Sequence, residues 1–110
     1  MAKTITFNYE GTDYTLEFTR RTIMQMEKEG FDISEAQSKP LNTLPVLFAG
    51  SFKAHHGKIN QEKLDEMYAK IEDKEGFVQA LAEMYAEPIS ALMAEPEKGN
   101  SGNITWSKGW

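Results

Sequence analysis

Residues 41–52 read Leu41-Asn42-Thr43-Leu44-Pro45-Val46-Leu47-Phe48-Ala49-Gly50-Ser51-Phe52. This is the longest mainly apolar run of the chain, and it contains no charged side chain. Leu44, Phe48 and Phe52 fall on one helical face, with Leu47, Gly50, Ser51 and Ala54 spread around the flank. A helix that is apolar around most of its circumference is buried on several sides. The stretch therefore reads as a central helix against which the other elements pack. The expected start is near Thr43, which places Pro45 in the first turn, where its missing N–H costs nothing. A start at Pro40 would put Pro45 in the helix interior, at roughly 3 kcal/mol. The expected end is at His55 or His56, before Gly57.

Upstream of this helix, Ile5, Phe7 and Tyr9 alternate with polar residues, as do Tyr14, Leu16 and Phe18, so residues 3–18 read as a β-hairpin. With Glu10-Gly11 as a two-residue turn, Phe7 lies opposite Tyr14 and Ile5 opposite Leu16, all on one face. A four-residue loop over 10–13 is the alternative. A lone hairpin is marginal in water and needs a helix or a third strand against it. Thr19 is a candidate N-cap for a helix over 20–29 with Ile23 and Met26 inward. Gly30 suits the left-handed position after that helix, which lets Phe31 fold back on Met26. Arg20 and Arg21 stand at the end of the helix where the dipole disfavours cations. They are either simply exposed or meet an acid on a partner or neighbouring subunit. Residues 32–40 are polar and read as a loop.

Downstream, Asn60 caps a helix over 61–71 whose Leu64, Met67, Tyr68 and Ile71 make a one-sided apolar stripe. Asp73 caps a further helix with Phe77, Leu81, Met84 and Tyr85 inward. Pro88 either kinks that helix or opens a short fifth one, with Ile89, Leu92 and Met93 inward. The fold class expected is α+β: an N-terminal β-hairpin packed on a bundle of four to five α-helices. Residues 1–96 form the domain, and 97–110 form a flexible linker and a Trp-containing tail.

The chain has 110 residues, one domain's worth, with 40% hydrophobic and 11% aromatic residues, which argues against disorder. Its net charge of −5 is uneven. Residues 1–59 are balanced, whereas residues 60–98 hold four basic and ten acidic side chains. An acidic half of this kind argues against nucleic acid or an anionic membrane surface as partner. There is no cysteine, which removes disulfides, thiolate metal sites and cysteine nucleophiles. No apolar run reaches membrane-spanning length, and the first residues show no apolar signal region, so an intracellular soluble protein is expected.

The chemistry-bearing residues are few. His55 and His56 point about 100° apart on a helix, which is not a chelating arrangement, and they read as a polar helix end. Glu62, Asp65, Glu66 and Glu83 are candidate acid–base pairs for a small enzyme, weighed against ordinary solvated faces. Methionines suit both cores and adaptable binding surfaces. Both tryptophans, Trp106 and Trp110, lie in the terminal stretch. Either residues 104–106 return as a third strand on the hairpin and bury Trp106, or the indoles anchor another protein.

Several of these segments, taken in order, carry a resemblance. They are Tyr14-Thr15-Leu16-Glu17-Phe18-Thr19-Arg20-Arg21-Thr22, Met26-Glu27-Lys28-Glu29-Gly30-Phe31, and Leu44-Pro45-Val46-Leu47-Phe48-Ala49-Gly50-Ser51-Phe52 followed by Ala54-His55-His56. Leu81-Ala82-Glu83-Met84-Tyr85 with Pro88 and the closing Asn103-Ile104-Thr105-Trp106 continue the series. Together they resemble a family of short phage and prophage proteins, and the architecture is similar to the tail assembly chaperones of long-tailed phages. That resemblance implies a non-catalytic protein in the cytoplasm of the bacterial host, without cofactor or metal. Its implied partner is the tape-measure protein, with the tail tube protein and a homo-oligomer as further candidates. The partner contacts expected on this reading are Met67, Met84, Met93, Trp106 and Trp110. The alternative is a minor structural tail component, a tube or tail-completion protein retained in the particle.

Overall fold

The computed structural model of the chain describes residues 3–96, 99 and 102–110. Two strands, β1 (Ile5–Tyr9) and β2 (Thr12–Leu16), are followed by α1 (Arg20–Lys28), a 3-10 turn (Ile33–Ala36), α2 (Pro40–Ser51), α3 (Gln61–Lys70) and α4 (Lys74–Leu92). The architecture is α+β, an antiparallel hairpin followed by four α-helices.

The hairpin has the register the alternation demands, with Ile5 opposite Leu16 and Phe7 opposite Tyr14. Glu10 and Gly11 both take positive φ, 52° and 84°. That pairing gives a turn whose twist matches the flanking strands. It settles the two-residue turn over the four-residue loop. The outer edge of β2 is satisfied by α2 and the turn after it. The Thr15 N–H donates to His56 Nε2 at 3.0 Å, and the Glu17 N–H donates to the Ser51 carbonyl at 2.9 Å. The sheet has two strands. Residues 104–106 form no third strand, and Ile104 and Trp106 stand in solvent.

α1 is capped at both ends as its sequence requires. Thr19 Oγ1 accepts from the Thr22 N–H, and Thr22 Oγ1 accepts from the Thr19 N–H. At the other end the Gly30 N–H donates to the Glu27 carbonyl and the Phe31 N–H to the Met26 carbonyl, which is a Schellman ending. Gly30 has φ 93°.

α2 is the centre of the molecule. Leu47, Phe48, Gly50 and Ser51 are buried along it, with Phe52 at its C-cap. The Phe52 ring meets Phe48 at 4.9 Å, Tyr14 at 5.9 Å and Phe7 at 6.3 Å between centroids, tying helix to hairpin. Phe48 meets Tyr68 of α3 and Phe77 of α4 at 5.2 and 5.8 Å. Edge-on aromatic pairs of this kind add about 0.5–1.5 kcal/mol each beyond the area they bury. A Cβ built on Gly50 would lie 2.6 Å from Met26 Sδ, so a larger residue there would have to displace the end of the Met26 side chain.

Both ends of α2 differ from the sequence expectation. The helix begins at Pro40, and Pro45 lies inside it. The carbonyl that Pro45 leaves without its donor belongs to Leu41, a 91% exposed residue in the first turn of the helix. The helix ends at Ser51 rather than at the histidines, because the Ser51 carbonyl is diverted to the Glu17 N–H of the chain leaving β2. Of the expected face Phe48 and Phe52 are buried and Leu44 is half-buried, and Thr43 and Leu47 are buried beside them.

In α3, Asn60 caps the start and Leu64 and Met67 are buried; the helix closes at Lys70 with Ile71 as its cap residue. Asp73 caps α4 from a left-handed conformation, its carboxylate accepting from the Gly76 N–H. α4 runs through Pro88 without a break, so there is no separate fifth helix. Ile89, Leu92 and Met93, expected inward, are exposed, because the body they would pack on ends near Met84 and Tyr85. Of the expected linker, Glu97, Lys98, Asn100 and Ser101 lie outside the described residues. Residues 103–110 form no regular element and are exposed.

Candidate interaction surface

The candidate site is a surface rather than a pocket of reactive groups, and it begins where α4 outruns the body. From Lys74 to Tyr85 the apolar stripe of α4 faces α1, α2 and the core. The same stripe continues through Ile89 and Leu92, which are exposed, and into Met93, which is 82% exposed. Beside it, α1 presents Met24 across a groove of about 180 Å³ that Arg20, Glu27, Pro88, Ile89 and Leu92 also line. Beyond Met93 the terminal segment carries Ile104, Trp106 and Trp110 into solvent, with Trp106 82% and Trp110 95% exposed. A second apolar exposure lies on α2, where Leu41, Pro45 and Val46 border a depression of about 420 Å³.

The sequence-predicted contact residues divide between interior and surface. Met67 and Met84 are 1% and 3% exposed. They fill the core and have no face to offer a partner, which corrects their assignment as contacts. Met93, Trp106 and Trp110 are on the surface. Reading the sequence missed Met24, Leu41, Val46, Ile89 and Leu92 as exposed apolar residues. Only Met24 was signalled, because it lies about 100° around α1 from buried Ile23.

The two histidines do more than end a helix. His56 accepts the Thr15 N–H through Nε2, which requires the tautomer protonated on Nδ1, and its ring lies 5.1 Å from that of Tyr14. His55 Nε2 lies 2.7 Å from Glu17 Oε1. The pair clasps β2 and the residues after it onto the end of α2. The carboxylates considered for acid–base chemistry lie on α3 and, for Glu83, on α4. Glu62, Asp65, Glu66 and Glu83 are all exposed, Asp65 accepts from Gln61 Nε2, and Glu66 pairs with Lys63 at 3.5 Å. Among the described residues no group of three His, Asp or Glu side chains is placed to hold a metal ion. No helix among them is long and apolar enough to cross a membrane.

Local electrostatics follow ordinary causes. The hydrogen bond and charge of Lys63 hold the Glu10 carboxyl below the usual range, and Glu10 in turn raises the Lys63 ammonium. Ser34 lowers Asp32 through its hydroxyl and its backbone N–H. Burial pushes the Tyr85 hydroxyl up, and the carboxylates of Glu27 and Asp32 add to that shift. Arg20 and Arg21 have no ion-pair partner among the described residues.

The chain belongs to the DUF5055 family, a domain of unknown function whose model it matches over residues 1–110. Neither the curated proteins nor the solved structures contain a match to it.

Proposed function

We propose that this protein is a non-catalytic assembly factor, a tail assembly chaperone that binds a tape-measure protein while a phage or prophage tail is built. One observation supports the reading most. The apolar side chains left uncovered include a continuous group at the end of α4 and two nearly bare indoles on the terminal segment. Trp is favoured at binding hot spots because one side chain provides a large, rigid contact area. Met93, Trp106 and Trp110 are the contacts assigned on this reading. The acidic surface of residues 60–98 keeps such an apolar surface in solution. The order of segments that resembles the phage proteins names the partner class.

The test is co-expression with the large tape-measure-like protein of the same phage or prophage. The expected result is that the large protein stays soluble and co-purifies with this chain. If it precipitates as it does alone, the chaperone reading loses its support. Recovery of this chain from purified particles would then favour the structural tail component instead.

A further inference from the structure

α1 exposes Arg20, Met24 and Glu27 on its solvent side, and α4 exposes Ile89 and Leu92 across the groove from them. Arg20 and Glu27 are seven residues apart, so they share one face, two turns and roughly 10 Å apart along the axis. Neither makes an ion pair among the described residues. Arg20 stands in the first turn of α1, where it opposes the helix dipole and where no acidic residue offsets it. The dipole makes an arginine in that place mildly unfavourable, and although Glu17 and Glu87 line a neighbouring groove with Arg20, neither forms an ion pair with it.

The pattern is complementary to itself. When two α1 helices lie antiparallel about a two-fold axis beside Met24, Arg20 of one copy meets Glu27 of the other, and the same pair forms again across the axis. Met24 then lies at the centre, and Ile89 and Leu92 are covered on both sides. This gives an apolar middle with charged ends, the usual arrangement of a protein interface. We infer that the α1–α4 face is the interface of a homodimer, held by two reciprocal Arg20–Glu27 pairs around an apolar centre of Met24, Ile89 and Leu92. The inference does not depend on the tail-assembly reading, because it concerns the isolated chain.

The test is the solution mass of the full chain, measured by light scattering and sedimentation over a range of concentrations. The expected species has twice the 12.5 kDa chain mass. Because each substitution acts twice across the axis, R20E and E27R should each weaken the dimer by about tenfold or more. The double variant R20E/E27R restores the pairs in reverse and should recover the dimer. M24E should give monomer, with a circular dichroism spectrum that shows the helices intact. A wild-type monomer at several hundred micromolar would overturn the inference, and so would a dimer indifferent to both charge reversals. Loss of the dimer in Trp106→Ser/Trp110→Ser, with the charge variants unaffected, would assign association to the terminal segment and overturn it equally.

Discussion

The two parts of α4 carry the same kind of sequence and meet different fates. Phe77, Leu81, Met84 and Tyr85 form an apolar stripe that packs into the interior, and Leu81 is 1% exposed. Ile89 and Leu92 continue that stripe with the same spacing, yet Leu92 is 60% exposed. The helix is the same, and what changes is whether anything lies opposite. α1, α2 and Phe18 supply partners up to Tyr85, and past Pro88 the helix runs beside an open groove to α1. An apolar stripe therefore records that a surface is to be covered, without recording that the cover comes from the same chain.

Core and overhang should separate sharply under substitution. Phe52→Ala removes a fully buried ring that contacts Phe7, Tyr14 and Phe48. It should cost about 3–5 kcal/mol in urea unfolding, and Leu81→Ala about 2–5 kcal/mol. Trp110→Ala should stay within about 0.5 kcal/mol of wild type, and so should Leu92→Ala at concentrations where the chain is monomeric. A loss at Leu92 or Trp110 that approaches the core values would show that the overhang belongs to the fold.

The next largest effect lies at the start of α4. Asp73→Ala removes the cap of α4 at a residue with φ 52° and should cost about 1–2 kcal/mol, with Asp73→Asn recovering most of it. A smaller effect sharpens what makes the core close. Gly50→Ala places a methyl against the end of the Met26 side chain, and the cost of displacing it, set against the better helix propensity of alanine, should leave a net loss of no more than about 1 kcal/mol. Met26→Ala opens space there, so in the double variant the alanine at position 50 should cost less than it does alone. Equal costs in both backgrounds would mean that Met26 is not the obstacle.

The smallest effect lies at the hairpin tip. Glu10 titrates below its ordinary value because of Lys63, so its contribution to stability is present above the normal carboxylate range. That contribution is lost as pH falls through the lowered value. Glu10→Gln should therefore cost a little stability at neutral pH and none at acid pH, which makes the acid limb slightly shallower. An acid limb that is the same in both proteins would show that this exposed pair adds nothing.

Much of the fold was legible because local chemistry and long-range pattern agreed. The hairpin register followed from two alternating runs and one glycine turn, and Thr19, Gly30, Asn60 and Asp73 marked the helix ends. The bounds of α2 were misread for reasons that lie outside the stretch itself. Pro45 is tolerated because Leu41 faces water, and the end at Ser51 is set by a hydrogen bond from Glu17, far away in sequence. The surface was harder to read. Methionine in an apolar stripe looks the same whether it is buried, as Met67 and Met84 are, or bare, as Met93 is. The role of His56 could not be read at all, because its partner is a backbone N–H on β2.

The terminal indoles are the part of this surface proposed to serve another protein. The most direct test of that claim is the soluble fraction of a co-expressed tape-measure protein, measured with the wild-type chain and with Trp106→Ser/Trp110→Ser. The account predicts that the wild type keeps the large protein soluble, whereas the variant, equally stable to urea, lets it precipitate. Equal solubility with both chains would contradict the assignment of the tryptophans, and precipitation with both would contradict the chaperone reading itself.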